Sequence, residues 1–153
     1  MRFKLWHVPL RLVTGAFILN SGLSKRDIDL ETAKHLQEFA STAYPQLANM
    51  PADRFATALS TAEIAVGSAL LLPVVPPAVA GAALTAFSGG LLGLYWRTPH
   101  LHREGDPRPT PEGTPLAKDS WMFAIGLALL TEALPFGRKH KKNKKQNKQD
   151  KKQ

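Results

Sequence analysis

The sequence contains no cysteine. Disulfides, thiolate nucleophiles, persulfide carriers and thiolate metal sites are therefore excluded for this chain acting alone, and any redox role needs a borrowed cofactor or a partner. Nucleotide-binding glycine loops and metal motifs of recognised spacing are also missing. Aromatic residues make up only 8% of the chain, and none falls after residue 137. Acidic residues are scarce in that same region, where "RKHKKNKKQNKQDKKQ" holds nine Lys or Arg against one Asp. The net charge of +8 belongs entirely to this tail, because residues 1 to 137 carry eleven basic and eleven acidic side chains. Without apolar residues the tail, 138–153, cannot bury a core and is expected to be disordered. Without interleaved aromatics it lacks the stacking platforms of nucleic-acid binding, so no nucleic-acid partner is expected.

Long purely aliphatic runs are missing too, but four long apolar stretches are present, at about 5–23, 54–72, 78–96 and 120–136. Each approaches the roughly 20 residues that a helix rising 1.5 Å per residue needs to cross about 30 Å of hydrocarbon. A soluble bundle would require polar faces that "AIGLALLTEALPF" and "AGAALTAFSGGLLGLYW" do not provide. The expected fold class is all-α: an integral membrane four-helix transmembrane bundle over residues 1–137. The first stretch has no small-residue cleavage site, since "NSGLSKRD" leads directly into charge, and is read as a retained crossing rather than a signal peptide.

The positive-inside rule places the "MRFK" start and the lysine tail in the cytoplasm, so both termini are cytoplasmic and the location is the cell's inner membrane. Residues 24–53 and 97–119 are then outer loops, and "PVVPP" at 73–77 is an inner turn. In the first outer loop, "DIDLETAKHLQEFASTA" predicts an amphipathic helix with Asp29 as N-cap and Pro45 ending the pattern. Ile28, Leu36, Phe39, Ala40 and Ala43 fall on one side, with Glu31, Lys34 and Glu38 on another. The second outer loop is rich in Pro and Gly and is expected to be irregular over the bundle mouth. Near an anionic leaflet each Lys or Arg contributes about 1 kcal/mol, so anionic phospholipid is the partner expected for the tail.

Charges and small residues recur at helical spacing inside the apolar stretches. Arg11, Gly15, Ile18, Gly22 and Lys25 share one face of the first crossing. Ala56, Ser60, Glu63 and Gly67 share a face of the second, and Ser120, Ala124, Ala128 and Glu132 share one of the fourth. Small residues permit close helix approach, while a charge in hydrocarbon turns inward and seeks a partner. By depth, Arg11 either meets Glu132 near the cytoplasmic end, stretches to Glu63, or snorkels to the cytoplasm. Asn20 and Lys25 are the other candidate partners of Glu63. Arg11, Asn20, Lys25, Glu63 and Glu132 are thus the candidate intramembrane polar site, and Gly15, Gly22 and Gly67 the helix-packing residues. His35, His100 and His102 lie on the outer side in no recognised metal pattern, so no metal is expected. His7 has no haem-ligand mate at matched depth.

The order "LRLVTGAFILNSGLSK", then "TAEIAVGSALLLP", then two further crossings resembles the DoxX family of small bacterial membrane proteins. Over roughly residues 8 to 135 it is most similar to actinobacterial DoxX-like members, through "YWRTPHLHREGDPRPTPEGTPLAKDSW". The resemblance implies a four-helix transmembrane bundle, with Arg11, Gly15, Gly22, Lys25, Glu63 and Gly67 as the recurring positions and Glu63 as the functional acid. The lysine tail and the long third loop depart from the minimal family pattern. Some family members are described as a subunit of a thiosulfate:quinone oxidoreductase, and some mycobacterial members as the membrane anchor of a redox-defence assembly with superoxide dismutase and a sulfurtransferase. The expected role is accordingly a non-catalytic membrane component of a redox or sulfur-metabolism complex, with a quinone as candidate cofactor. The alternative is a small transporter or lipid-binding protein that uses Glu63 with Arg11 or Lys25.

Overall fold

The computed structural model describes residues 5–131. The expectations for Glu132, for the end of the fourth crossing and for the lysine tail lie outside the described residues. The chain is all-helical, with no strand among the described residues: α1 (His7–Ser24), α2 (Leu30–Ala43), α3 (Ala52–Leu71), α4 (Pro77–Arg97), the single turn α5 (Thr114–Ala117) and α6 (Asp119–Thr131).

Helix boundaries follow local chemistry. Asp29 caps α2, its Oδ1 accepting from the Thr32 amide at 2.9 Å and its Oδ2 from the Thr32 hydroxyl at 2.8 Å. Pro45 opens a 3-10 turn, Pro45–Asn49, that carries the chain from α2 to α3. Pro77 occupies the first turn of α4, where its missing N–H has no helical acceptor to lose. The segment expected to be irregular is more ordered than its composition indicated. A 3-10 turn at Pro99–Leu101 buries Leu101, and a short bridge pairs His102 with Pro109. Gly105, with φ of +72°, makes the reversal between them.

The long helices pack as two antiparallel pairs, α1 with α3 and α4 with α6. Glycine sets the approach in each. A Cβ on Gly67 would lie 2.6 Å from the Leu19 amide nitrogen, and one on Gly22 would lie 2.8 Å from that of Ile64. In the second pair a Cβ on Gly81 would lie 2.7 Å from the Gly126 carbonyl. Between the pairs sits a small core of Ile18, Val66, Leu70, Ala80, Leu84 and Leu129. At the end where α1 finishes and α4 finishes, α2 lies across the bundle. It is tied there by the Tyr44 hydroxyl donating to Gly90 O at 2.9 Å and by the Arg97 guanidinium 5.1 Å over the Tyr44 ring.

Gly126 also corrects the face expected for the fourth stretch. Ser120 and Ala124 are exposed and Ala128 is half-buried, whereas Asp119, Gly126 and Leu129 face inward. The close approach of α4 requires a residue without a side chain opposite Gly81 and Thr85, and only Gly126 supplies one. Among the described residues one helix, α4, is both long and apolar enough to cross a membrane. Arg11 interrupts α1, Asp53, Arg54 and Glu63 lie in α3, and α6 is described over 13 residues only.

Candidate functional site: charged groups at the two ends of the first helix pair

Arg11 and Glu63 are both buried, at 4% and 6% exposure, yet they serve opposite ends of the α1/α3 pair. At one end the Arg11 guanidinium reaches into the C-terminus of α3. Its Nε donates to Leu70 O at 2.7 Å, its Nη2 to Ala69 O at 2.9 Å and Leu72 O at 2.8 Å, and its Nη1 to Val75 O at 3.2 Å. Sequence reasoning had it pair with Glu63 or Glu132 or snorkel. Among the described residues its partners are backbone carbonyls and Glu63 is engaged by Lys25, while the pairing with Glu132 lies outside the described residues.

The physical reason lies in the turn. In a continuing helix Ala69 O would accept from residue 73, which is a proline without an N–H, while Leu72 O accepts from the Val75 amide at 3.1 Å in the turn. The helix therefore ends with orphaned carbonyls and the negative end of its dipole, and a five-donor planar cation from α1 satisfies both. The proline four residues beyond Ala69 was the signal that could have identified this end of α3 as an acceptor.

At the other end, Lys25 lies just past α1 and folds back by one turn. Its Nζ donates to Ser21 Oγ at 2.6 Å and Ser21 O at 3.2 Å, and meets the Glu63 carboxylate at 2.9 Å to Oε2 and 3.1 Å to Oε1. The lysine side chain is 21% exposed and the glutamate 8%, so the pair sits at the edge of the buried region. Close approach at Gly22 makes this reach possible, and Ser60, one turn from Glu63, donates to Gly22 O at 2.8 Å. Of the candidate partners for Glu63, Lys25 is therefore the one bonded to it. Asn20 is exposed on another face of α1.

Asp119, at the start of α6, falls in the sequence reading at the end of the second outer loop, 97–119. It is 9% exposed and accepts no hydrogen bond among the described residues. Burial raises its carboxyl from the ordinary 3.8 to about 6, and the negative charge of Glu63 pushes in the same direction. A charged residue directly before an apolar run reads as a loop residue, so sequence carried no signal for its burial.

His100 and His102 lie in the loop that follows α4. His102 stacks near Tyr95 and Trp96, with ring centroids 5.9 and 6.0 Å away, while His100 accepts a hydrogen bond from the Thr110 hydroxyl through its backbone oxygen. No cluster of three metal-ligating side chains occurs among the described residues. A quinone ring does not fit within the α1/α3 pair, where backbones approach too closely at Gly22 and Gly67 to admit even a methyl group. Compared with protein-family models, with curated proteins and with solved structures, the chain matches none.

Proposed function

We propose that the chain is a DoxX-like integral membrane protein whose four long helices cross the bilayer, with both termini cytoplasmic and α2 on the outer side. The observation that supports this is an inversion of polarity. Arg11, Thr14, Ser60, Glu63 and Ser88 are buried, while Leu12, Val13, Phe17, Val79 and Leu127 are exposed, Phe17 at 68%. In water such a surface would drive aggregation; in hydrocarbon it is the favourable arrangement. Trp6 lies at one end of the bundle, and Trp96 and the 70%-exposed Trp121 at the other. The 21 residues of α4 span about 31 Å, the separation that two interfacial aromatic belts require.

Within that placement we assign a non-catalytic role: a membrane component or anchor of a redox or sulfur-metabolism complex, with a quinone-accessible position between the two helix pairs and the lysine tail on anionic phospholipid. The resemblance of "LRLVTGAFILNSGLSK" and "TAEIAVGSALLLP" to DoxX proteins motivates the redox assignment. The second reading, a small transporter or lipid-binding protein, draws on the Lys25–Glu63 pair at the edge of the buried region.

Purification from the native host in lipid nanodiscs, followed by mass spectrometry of proteins and lipids, separates them. Co-purified redox enzymes or quinone, lost on Glu63→Gln, support the redox role. Bare protein with bulk phospholipid alone overturns it in favour of the transporter reading.

A further inference from the structure

We propose that the face of α1 turned away from α3 is the interface of a parallel, two-fold symmetric homodimer that closes around Asn20 of each copy. The inference rests on the membrane placement proposed above. Gly15 and Gly22 turn one side of α1 to α3. Val13, Phe17, Asn20 and Ser24, at steps of four, three and four, occupy the opposite side. All four are exposed, Val13 at 72% and Phe17 at 68%. Asn20 stands four residues inside the end of α1, about 6 Å along the axis and within the first crossing. An amide that faces hydrocarbon there has no water to satisfy its two donors and its acceptor.

Other exposed hydroxyls on the long helices need no outside partner. Thr57 and Thr61 donate to Asp53 O and Thr57 O at 2.8 and 2.7 Å, and Ser120 and Thr131 donate to Ala117 O and Ala128 O. Ser24 likewise donates to Ser21 O at 2.9 Å. Among the exposed hydroxyl and amide side chains of α1, α3, α4 and α6, Asn20 is the one without a hydrogen bond among the described residues. Lipid tails offer it nothing, whereas a second copy of α1 offers an identical group. An amide is its own complement: the Nδ2 of each copy donates to the Oδ1 of the other, giving two equivalent bonds. Both copies insert with the same orientation, so the two-fold axis lies along the membrane normal and like residues meet. Steps of four, three and four form the seam of a left-handed helix pair, in which a single Asn among apolar residues specifies register. Val13 and Phe17 supply the apolar part of that seam, and the small Ser24 permits close approach at its outer end.

The absence of native cysteine makes this face directly testable. In membranes from cells expressing the full-length chain, Val13→Cys, Phe17→Cys and Ser24→Cys are each oxidised with copper phenanthroline. Leu12→Cys and Val79→Cys serve as controls, since both positions are about half exposed but lie off the seam. Residues that meet across a two-fold seam bring their Cα atoms within the roughly 7 Å that a disulfide tolerates. A species of twice the chain's mass is expected at the three seam positions, several-fold more abundant than at the controls. Adding Asn20→Leu to Phe17→Cys should lower that yield several-fold, while Asn20→Gln, which keeps the amide, should retain most of it. Every substituted side chain is exposed in the fold, and circular dichroism of each variant checks that helicity is kept. Equal yields at seam and control positions overturn the proposal, as does a yield at Phe17→Cys unchanged by Asn20→Leu. An adduct whose mass is not twice that of the chain overturns it in favour of a different protein on this face. Alkaline carbonate washing reads the membrane placement separately. Chain that stays in the membrane pellet without cross-linking overturns the dimer alone, whereas chain released by carbonate overturns the placement and the dimer with it.

Discussion

The two helix pairs solve the same packing problem with different chemistry. Both α1/α3 and α4/α6 bring backbones together at glycine, Gly15, Gly22 and Gly67 in one and Gly81 and Gly126 in the other. Among the described residues only the first is also joined by charged side chains, Arg11 at one end and Lys25 with Glu63 at the other. In the second, Thr85 and Ser88 donate to carbonyls of their own helix, at 2.7 and 2.6 Å, so they bridge nothing. Close approach is thus general, whereas polar bonds between helices fix register in one pair alone. Registry of this kind is the best-attested use of buried polar groups.

The largest effect on that contrast should come from Arg11→Met. It strips the Arg11 donors from Ala69, Leu70 and Val75 while Leu72 O keeps the Val75 amide, and it leaves volume roughly filled. Each carbonyl orphaned in a buried site costs about 1–3 kcal/mol, so a loss of about 3–5 kcal/mol is expected for the α1/α3 pair. Thermal unfolding in detergent, followed by circular dichroism, reads it. Arg11→Lys should recover only part, because a point charge on a flexible stem cannot reach four acceptors at once. If Arg11→Met unfolds no more easily than wild type, the guanidinium is not what holds the end of α3.

A smaller effect, of opposite sign at two glycines, sharpens the packing half of the comparison. A Cβ on Gly67 would strike backbone atoms of Leu19, so Gly67→Ala should destabilise by about 1–3 kcal/mol. Gly90, in α4, has nothing within 4 Å of the same position. There the gain in helix propensity should dominate, and Gly90→Ala should stabilise by roughly 0.5–1 kcal/mol. Equal and small responses at both positions would show that the α1/α3 spacing is not set by glycine.

How legible these devices were depends on whether their partners were side chains or backbone. Gly15, Gly22 and Gly67 declared themselves by spacing, since small residues at steps of three and four define a face. The Asp29 cap and the stop at Pro45 were equally local. Lys25 and Glu63 could be placed at similar depth from residue counts, but Asn20 was as good a partner on that measure, and only the direction of α1's face separates them. The described acceptors of Arg11 were not foreseen because sequence reasoning searches for acids, while these are backbone carbonyls at the end of α3. The fourth stretch was rotated for a related reason: Ser120, Ala124 and Ala128 are all small, yet the helix turns on the single position, Gly126, that admits the backbone of α4. Asp119 was missed because its burial depends on how α6 starts against the other pair, which no spacing within the helix records.

The smallest effect isolates the difference between the pairs most cleanly, because two buried serines stand in matched surroundings. Ser60 and Ser88 are both almost fully enclosed, and each donates one hydrogen bond to a backbone oxygen. Ser60 reaches across to Gly22 O at 2.8 Å, joining α3 to α1, whereas Ser88 returns to Leu84 O within α4. Loss of the first removes a bond between elements, so Ser60→Ala should cost about 1 kcal/mol. Loss of the second frees a carbonyl that already accepts its helical bond, so Ser88→Ala should change stability by less than about 0.5 kcal/mol. Combined with Arg11→Met, the Ser60 change should be non-additive if the α1/α3 bonds act together to fix register, while the Ser88 change should simply add. Additivity at both serines would mean that the polar bonds of the first pair act singly, and that the two pairs differ in composition but not in kind.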